Sequence, residues 1–194
     1  MPKLYFKYGA MGSSKTAQAL MVKFNYEEKG YQVGLLKPSV DNRDGETIVK
    51  SRIGLQDTGV LIDQNINLND WYTKNRYDVL IVDEAQFLTG AQIEQLKDIA
   101  IAFVPVLCFG LKTDFQTHLF EGSKRLFEIA DSITEIKSVC VCGRKAEVNA
   151  RICNGKIVRE GAQVFIGGNE SYIGLCYECW SKDQIRKVPT IHQD

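Results

Sequence analysis

Gly9-Ala10-Met11-Gly12-Ser13-Ser14-Lys15-Thr16 has the residue types and spacing of a loop that grips phosphate. The pattern is G-x-x-x-x-G-K-[ST], met at every fixed position except one, where Ser14 stands in for the second glycine. In such a loop the backbone N–H groups and the N-terminus of the following helix face a triphosphate. The lysine, here Lys15, reaches the β- and γ-phosphates, and the hydroxyl, here Thr16, ligates Mg2+. A Cβ at position 14 restricts φ and crowds the approach of the backbone to phosphate, so Ser14 weakens the match to the pattern. The competing reading is a glycine–serine turn ahead of a helix.

Asp83-Glu84 closes an unbroken apolar run, Val79-Leu80-Ile81-Val82. In open α/β sheets, ligands gather at the carboxyl ends of strands. Downstream of a phosphate loop, Asp83 is placed to hold Mg2+ as a Walker-B carboxylate, and Glu84 to accept the proton of an attacking hydroxyl. Two solvated acids opening a loop are the alternative. Asp83-Glu84-Ala85-Gln86 also has the form of a helicase box, but a helicase needs two ATPase lobes and 194 residues hold one at most.

Cys140-Val-Cys142 and Cys176-x-x-Cys179 form two close pairs separated by a stretch that reads as β-hairpins. Four thiolates suit a closed, tetrahedral structural zinc with no position left for chemistry. The second pair has knuckle spacing and the first is one residue short; buried cysteines without metal are the alternative. Cys108 lies in an apolar run and reads as core. Cys153 is left over, as core or as a substitute ligand. His118 and His192 lack partner spacing and read as surface residues.

The elements that must position these groups alternate through the first two thirds of the chain, predicting a parallel sheet with crossover helices. Strands are expected at Leu4–Tyr8, Val33–Leu36, Val79–Val82, Val104–Phe109 and Ile133–Val139. Helices are expected at Lys15–Lys29, ended by Gly30, at Ala91–Ala102 and at Ser123–Ala130. Pro38 to Gly59 is polar, charged and glycine-punctuated, and reads as a long mobile loop with some helix, of a length that is usually functional or disordered. After Val139 the texture changes to cysteine pairs and short β-like runs. The organisation expected is therefore an α/β domain over residues 1–138 and a small β-rich unit over 139–194.

Composition narrows the function classes. Twenty-four basic and 24 acidic residues cancel, so no general electrostatic case exists for nucleic acid or an anionic membrane. No apolar run approaches the roughly 20 residues of a membrane span. Met1-Pro2-Lys3-Leu4-Tyr5-Phe6 lacks the apolar core of a signal peptide. A cytoplasmic setting is expected, where six cysteines point to metal or catalysis rather than disulfides.

An ordered series of segments carries a family resemblance. Tyr8-Gly9-Ala10-Met11 runs into the phosphate loop, followed by Lys37-Pro38-x-x-Asp41-x-Arg43 and Ser51-Arg52-Ile53-Gly54-Leu55. Asp83-Glu84-Ala85-Gln86-Phe87 and Gly110-Leu111-Lys112-Thr113-Asp114-Phe115 come next. Cys140-Val-Cys142-Gly143-Arg144-Lys145-Ala146 and Ile166-Gly167-Gly168-Asn169-Glu170-Ser171-Tyr172 close the series. In order and coverage these pieces resemble the thymidine kinase family of the zinc-containing cellular type, especially its bacterial branch, over nearly the whole chain.

The resemblance implies a P-loop (RecA-like) parallel sheet with helices on both faces and a small C-terminal zinc-binding lasso closing over the nucleoside. It implies transfer of the γ-phosphate of ATP to the 5′-hydroxyl of thymidine, with Mg2+ beside ATP and a structural Zn2+. Glu84 matches the base. Gly9, Ala10, Met11, Gly12, Ser13, Ser14, Lys15, Thr16, Asp83, Glu84 and Gln86 match the ATP side. Thr16, Asp83, Asp41 and Arg43 match the groups beside Mg2+ and the reacting phosphate. Met11, Phe87, Leu111, Phe115, Ile166, Gly167 and Tyr172 match the thymidine pocket, and Cys140, Cys142, Cys176 and Cys179 the zinc ligands. Family members are commonly tetramers inhibited by their triphosphate end product. The resemblance thus implies a homotetramer, thymidine triphosphate as feedback inhibitor and deoxyuridine as a further acceptor.

Against this enzyme reading stand two others. Ser14 could disable the loop and leave a nucleotide- or nucleoside-binding protein without transfer. Alternatively, a zinc ribbon fused to an ATPase-like lobe could bind nucleic acid, which the balanced charge argues against.

Overall fold

The computed structural model describes residues 3–40, 47–163 and 172–185. Numbered in chain order, β1 (Leu4–Tyr8), β2 (Val33–Pro38), β5 (Val60–Ile62), β6 (Val79–Val82), β7 (Val106–Gly110) and β8 (Ser132–Glu135) form one sheet. Its order is β5-β2-β6-β7-β1-β8, and every pairing is parallel. Between β2 and β5 lies an antiparallel hairpin of β3 (Ile48–Lys50) and β4 (Gln56–Thr58).

Strand periodicity sends alternate residues to opposite faces, and helices cover both. On one face α1 (Lys15–Glu27) buries Ala19 and Leu20 against Val33, Leu35, Val79, Ile81, Leu107 and Phe109. On the other lie α2 (Leu68–Lys74), α3 (Gly90–Ala102) and α4 (Glu121–Ile129). There Leu68, Tyr72, Ile93, Leu96 and Leu126 pack on Leu4, Phe6, Leu36, Leu80, Val82 and Cys108. Cover on both faces explains why all four residues of β6 are buried and apolar. α3 opens with a capping box, the Thr89 side chain accepting from Gln92 N and Gln92 from Thr89 N.

Several elements differ from the expectations. The stretch from Pro38 to Gly59 contains the β3–β4 hairpin and no helix among the described residues. α2 went unread because only Leu68 and Tyr72 of its seven residues are buried, too few for a visible period. β7 begins at Val106 because Pro105 has no N–H for the ladder. The last strand is two: the buried Ile136 donates its N–H to Tyr8 O and turns into the core on the α1 face, so the chain leaves the sheet. It then forms β9 (Ser138–Val139), which pairs antiparallel with β10 (Lys145–Ala146).

Beyond that point β11 (Val148–Cys153) is flanked by β12 (Lys156–Val158) and β13 (Tyr172–Leu175), both antiparallel to it, and α5 (Tyr177–Ser181) follows. Their small core joins Ala146, Ala150, Leu175, Cys140, Cys176 and Cys179 to Ala10 of the phosphate loop. The C-terminal strands are thus packed directly on that loop. No helix among the described residues is long and apolar enough to cross a membrane.

Candidate active site

The phosphate loop joins β1 to α1, with its turn set by two left-handed residues. Gly12 has φ 79°, the region glycine enters without penalty. Ser14, the residue before α1, has φ 61° and ψ 25° with no side-chain capping bond. The serine therefore adopts the conformation that the glycine of the pattern would supply, at a cost of about 1–2 kcal/mol for an L-residue. Lys15 is buried, its Nζ donating to Gly9 O at 3.0 Å, Ala10 O at 2.9 Å and Ser13 Oγ at 3.3 Å.

One strand, β7, separates β1 from β6, which sets Asp83 beside the start of α1. The Thr16 hydroxyl favours the charged form of the Asp83 carboxylate. Asp83 is buried, and burial together with the charge of Glu84 pushes its carboxyl up to about 7, against the pull of Thr16 and Lys15. A hydroxyl, a buried carboxylate and the loop form an oxygen-donor set suited to a hard divalent cation, whose charge would return Asp83 to the carboxylate form. Glu84 has φ 51°. Non-glycine residues held in that region cluster at active sites. Its partner is Gln86, whose Nε2 donates to Glu84 Oε2 while its Oε1 accepts Leu111 N–H at 3.0 Å. Gln86, matched to the ATP side, thus has both ends of its amide on protein groups and braces Glu84 to the segment after β7. Gly110 permits this: a Cβ there would stand 2.7 Å from Gln86 Oε1.

Met11, Phe115 and Tyr172, matched to the nucleoside, are held where the phosphate loop faces the C-terminal strands. Asn149 and Gly174 are register partners across β11 and β13, and both face Met11. Asn149 Oδ1 accepts Met11 N–H at 2.8 Å and its Nδ2 donates to Thr113 O at 2.7 Å. At Gly174 a Cβ would lie 2.7 Å from Met11 O, leaving no room for a side chain. The next pair on that face is Arg151 with Tyr172. The Arg151 guanidinium lies 3.7 Å from the Phe115 ring centroid, its Nε donates to Tyr172 OH at 2.9 Å, and it also donates to Ala162 O at 2.8 Å. Gln163 Nε2 donates to Asp114 Oδ2 at 3.0 Å. Phe115 is fully buried, whereas Met11, Phe87 and Leu111 are half-buried, with Phe87 edge-on to Phe120.

Sequence reasoning missed Asn149 and Arg151. Each is a polar residue on an alternating strand (Val148-Asn149-Ala150-Arg151) with no motif around it. The signal available was the direction of that alternation: polar residues on the strand face opposite Val148 and Ala150, in a unit too small to waste one face. Asp41, Arg43, Ile166 and Gly167 lie outside the described residues.

The four cysteines of the two pairs converge, their sulfurs all within 4.8 Å of one another, and Cys142 and Cys176 sulfurs are 3.7 Å apart. Four sulfurs at about 2.3 Å from one tetrahedral ion lie roughly 3.8 Å apart, so the donor set fits a metal. The Arg144 backbone N–H, the largest influence, lowers the Cys142 thiol to about 6, while burial raises Cys179 to about 12. Cys108 is buried in the sheet and Cys153 is exposed.

A family model described as thymidine kinase matches residues 2–180. Similar proteins include thymidine kinases of Zymomonas mobilis, 45% identical over 91% of this chain and 94% of the relative, and of Streptococcus thermophilus, 43% identical over the full length of both. That of Lactobacillus acidophilus is 44% identical over 91% of this chain and 94% of its own. Among solved structures, a replication initiator DnaA bound to AMPPCP and single-stranded DNA superimposes with TM-score 0.42 at 17% identity, covering 70% of this chain and 40% of that one. That likeness is too weak to add to the argument.

Proposed function

The chain belongs to the thymidine kinase family, and from that membership and the site's geometry we propose that it transfers the γ-phosphate of ATP to the 5′-hydroxyl of thymidine. The observation that carries the assignment of roles is the approach of Asp83, at the end of β6, to Lys15 and Thr16 of the phosphate loop, with Glu84 braced beside it by Gln86.

In this reading the loop amides and Lys15 hold the triphosphate. Mg2+, when bound at Thr16 and Asp83, spreads charge off the transferring group, with Asp41 and Arg43 assigned to the same side. Glu84 takes the proton of the 5′-hydroxyl as the P–O bond to it forms and ADP departs. Met11, Phe87, Leu111, Phe115 and Tyr172, with Ile166 and Gly167, wall the base. Residues 139–194 act as the closing unit and residues 1–138 as the nucleotide domain. Zinc on Cys140, Cys142, Cys176 and Cys179 anchors both ends of the closing segment. The sulfur spacing and the contact of Gly174 with Met11 support that arrangement. Backbone groups reading the thymine edge would reject cytosine, whose exocyclic amine places a donor where an acceptor is wanted.

Thymidine triphosphate is assigned as feedback inhibitor on the same subsites, deoxyuridine as a further acceptor and the cytoplasm as the setting. A homotetramer is proposed as well. Met21 and Phe24 stand 55% and 64% exposed on the outer side of α1, an apolar surface that a partner copy would cover. A disabled loop is the weaker reading, because Ser14 holds the left-handed conformation the turn needs. Glu84→Gln is expected to cut turnover by about 10²–10⁴-fold with MgATP binding retained. Turnover equal to that of the parent would sink the role of Glu84.

A further inference from the structure

Ser51-Arg52-Ile53-Gly54-Leu55 is a segment of the family series to which no role has fallen. It forms the tip of the β3–β4 hairpin, and the hairpin is firmly anchored. Val49 is buried in the core on the α1 face, Lys37 Nζ donates to Ile48 O at 2.8 Å, and Lys23 bridges from α1 to Asp57 at 2.6 Å. At the tip, Ser51 N–H and Oγ–H both donate to Leu55 O at 2.7 and 3.0 Å, Gly54 N–H donates to Ser51 O at 3.1 Å, and Gly54 makes the turn with φ 91°.

This frame delivers Arg52 to the phosphate loop. Its Nη1 lies 3.8 Å from where a Cβ of Gly12 would stand, with the rest of its side chain exposed. Among the described residues it makes no hydrogen bond or ion pair. Lys15, by contrast, is tied to carbonyls of the loop itself. A permanently charged, planar, weakly hydrated guanidinium brought to a phosphate loop from a different element, with no counterion among the described residues, has the chemistry of an anion partner.

We propose that Arg52 is an arginine finger supplied in cis. The inference rests on the kinase reading above. As the bond from the γ-phosphorus to the ADP oxygen breaks and the bond to the thymidine 5′-oxygen forms, the proton goes to Glu84, and Arg52 donates to the γ-phosphoryl oxygens. Charge building there is greatest between the two partners, so its contact is stronger in transfer than in the resting ATP complex.

The test compares the purified parent protein with Arg52→Ala, Arg52→Lys and, as a control on the same hairpin, Lys50→Ala. Turnover of thymidine with MgATP is measured alongside binding of MgATP and binding of MgADP–aluminium fluoride with thymidine. Arg52→Ala is expected to lower kcat by about 10²-fold or more, toward the range known for arginine fingers. MgATP affinity should change less than about threefold and the aluminium fluoride complex should weaken at least tenfold, as transition-state binding requires. Arg52→Lys should recover part of kcat, and Lys50→Ala should match the parent. An unchanged kcat in Arg52→Ala, or a loss confined to KM for ATP, would overturn the proposal. Absence of thymidine turnover in the parent protein would instead overturn the kinase reading, so the two failures are separable.

Discussion

Replacing Ser14 by glycine probes the single departure from the phosphate-loop pattern. Ser14 sits at φ 61° and ψ 25° and makes no capping hydrogen bond, so the substitution removes no side-chain contact of that kind. Relief of the left-handed penalty is worth about 1–2 kcal/mol. Glycine gives back about 0.5–1 kcal/mol through the greater freedom of the unfolded chain. The net gain is about 0–1.5 kcal/mol, which for a chain of this length raises Tm by up to about 6 °C. Urea unfolding of both proteins measures it as a rise in midpoint with unchanged slope. Because the loop already has the required turn, kcat should shift by no more than about threefold, or roughly 0.65 kcal/mol. A lower midpoint in Ser14→Gly would show that the serine contributes contacts the reasoning denies it. Thymidine turnover appearing only in Ser14→Gly would show that the serine had disabled the loop.

Other perturbations address the rest of the site. Asn149→Ala strands Thr113 C=O, which is buried, and Met11 N–H, which is partly so. The expected loss is about 2–5 kcal/mol by denaturant unfolding, with a raised KM for thymidine; an unchanged stability would refute the bracing role. Metal analysis is expected to find one zinc per chain, lost in Cys179→Ser together with several degrees of Tm. Full activity and stability in a zinc-free chain would contradict the site. Burial and Glu84 hold Asp83 at about 7 in the metal-free chain, above its unfolded value. The protonated form therefore favours the empty fold at low pH, and that contribution fades as pH rises through about 7. MgATP binding should accordingly release a proton near neutral pH and strengthen from pH 6 to pH 8, read by calorimetry in buffers of different ionisation enthalpy. No proton release would refute it.

The parallel sheet is legible in the sequence because strands covered on both faces must be apolar throughout, as Val79–Val82 is, and because Gly12 and Gly30 punctuate a single apolar-periodic helix between them. The phosphate loop and the acid pair are legible because their chemistry needs neighbours in sequence. What the sequence hides are contacts between residues far apart in the chain. Asn149 reaches Met11 across 138 residues and Thr113 across 36, and nothing local marks either bond. Gln86 shows its motif but not its orientation, which depends on Gly110 leaving room for its amide. The β3–β4 hairpin is obscured by the polar composition around it, since only Val49 of its residues is buried in the core. α2 is hidden for the same reason, with a two-residue apolar stripe too short to show a period.

The most direct test of the central assignment is to incubate the purified protein with thymidine, ATP and Mg2+ and to follow thymidine monophosphate itself, with deoxycytidine as the control acceptor. The expected result is thymidine monophosphate formed in proportion to ADP, with no deoxycytidine monophosphate. ATP hydrolysis without a nucleotide product, or equal phosphorylation of deoxycytidine, would contradict the account.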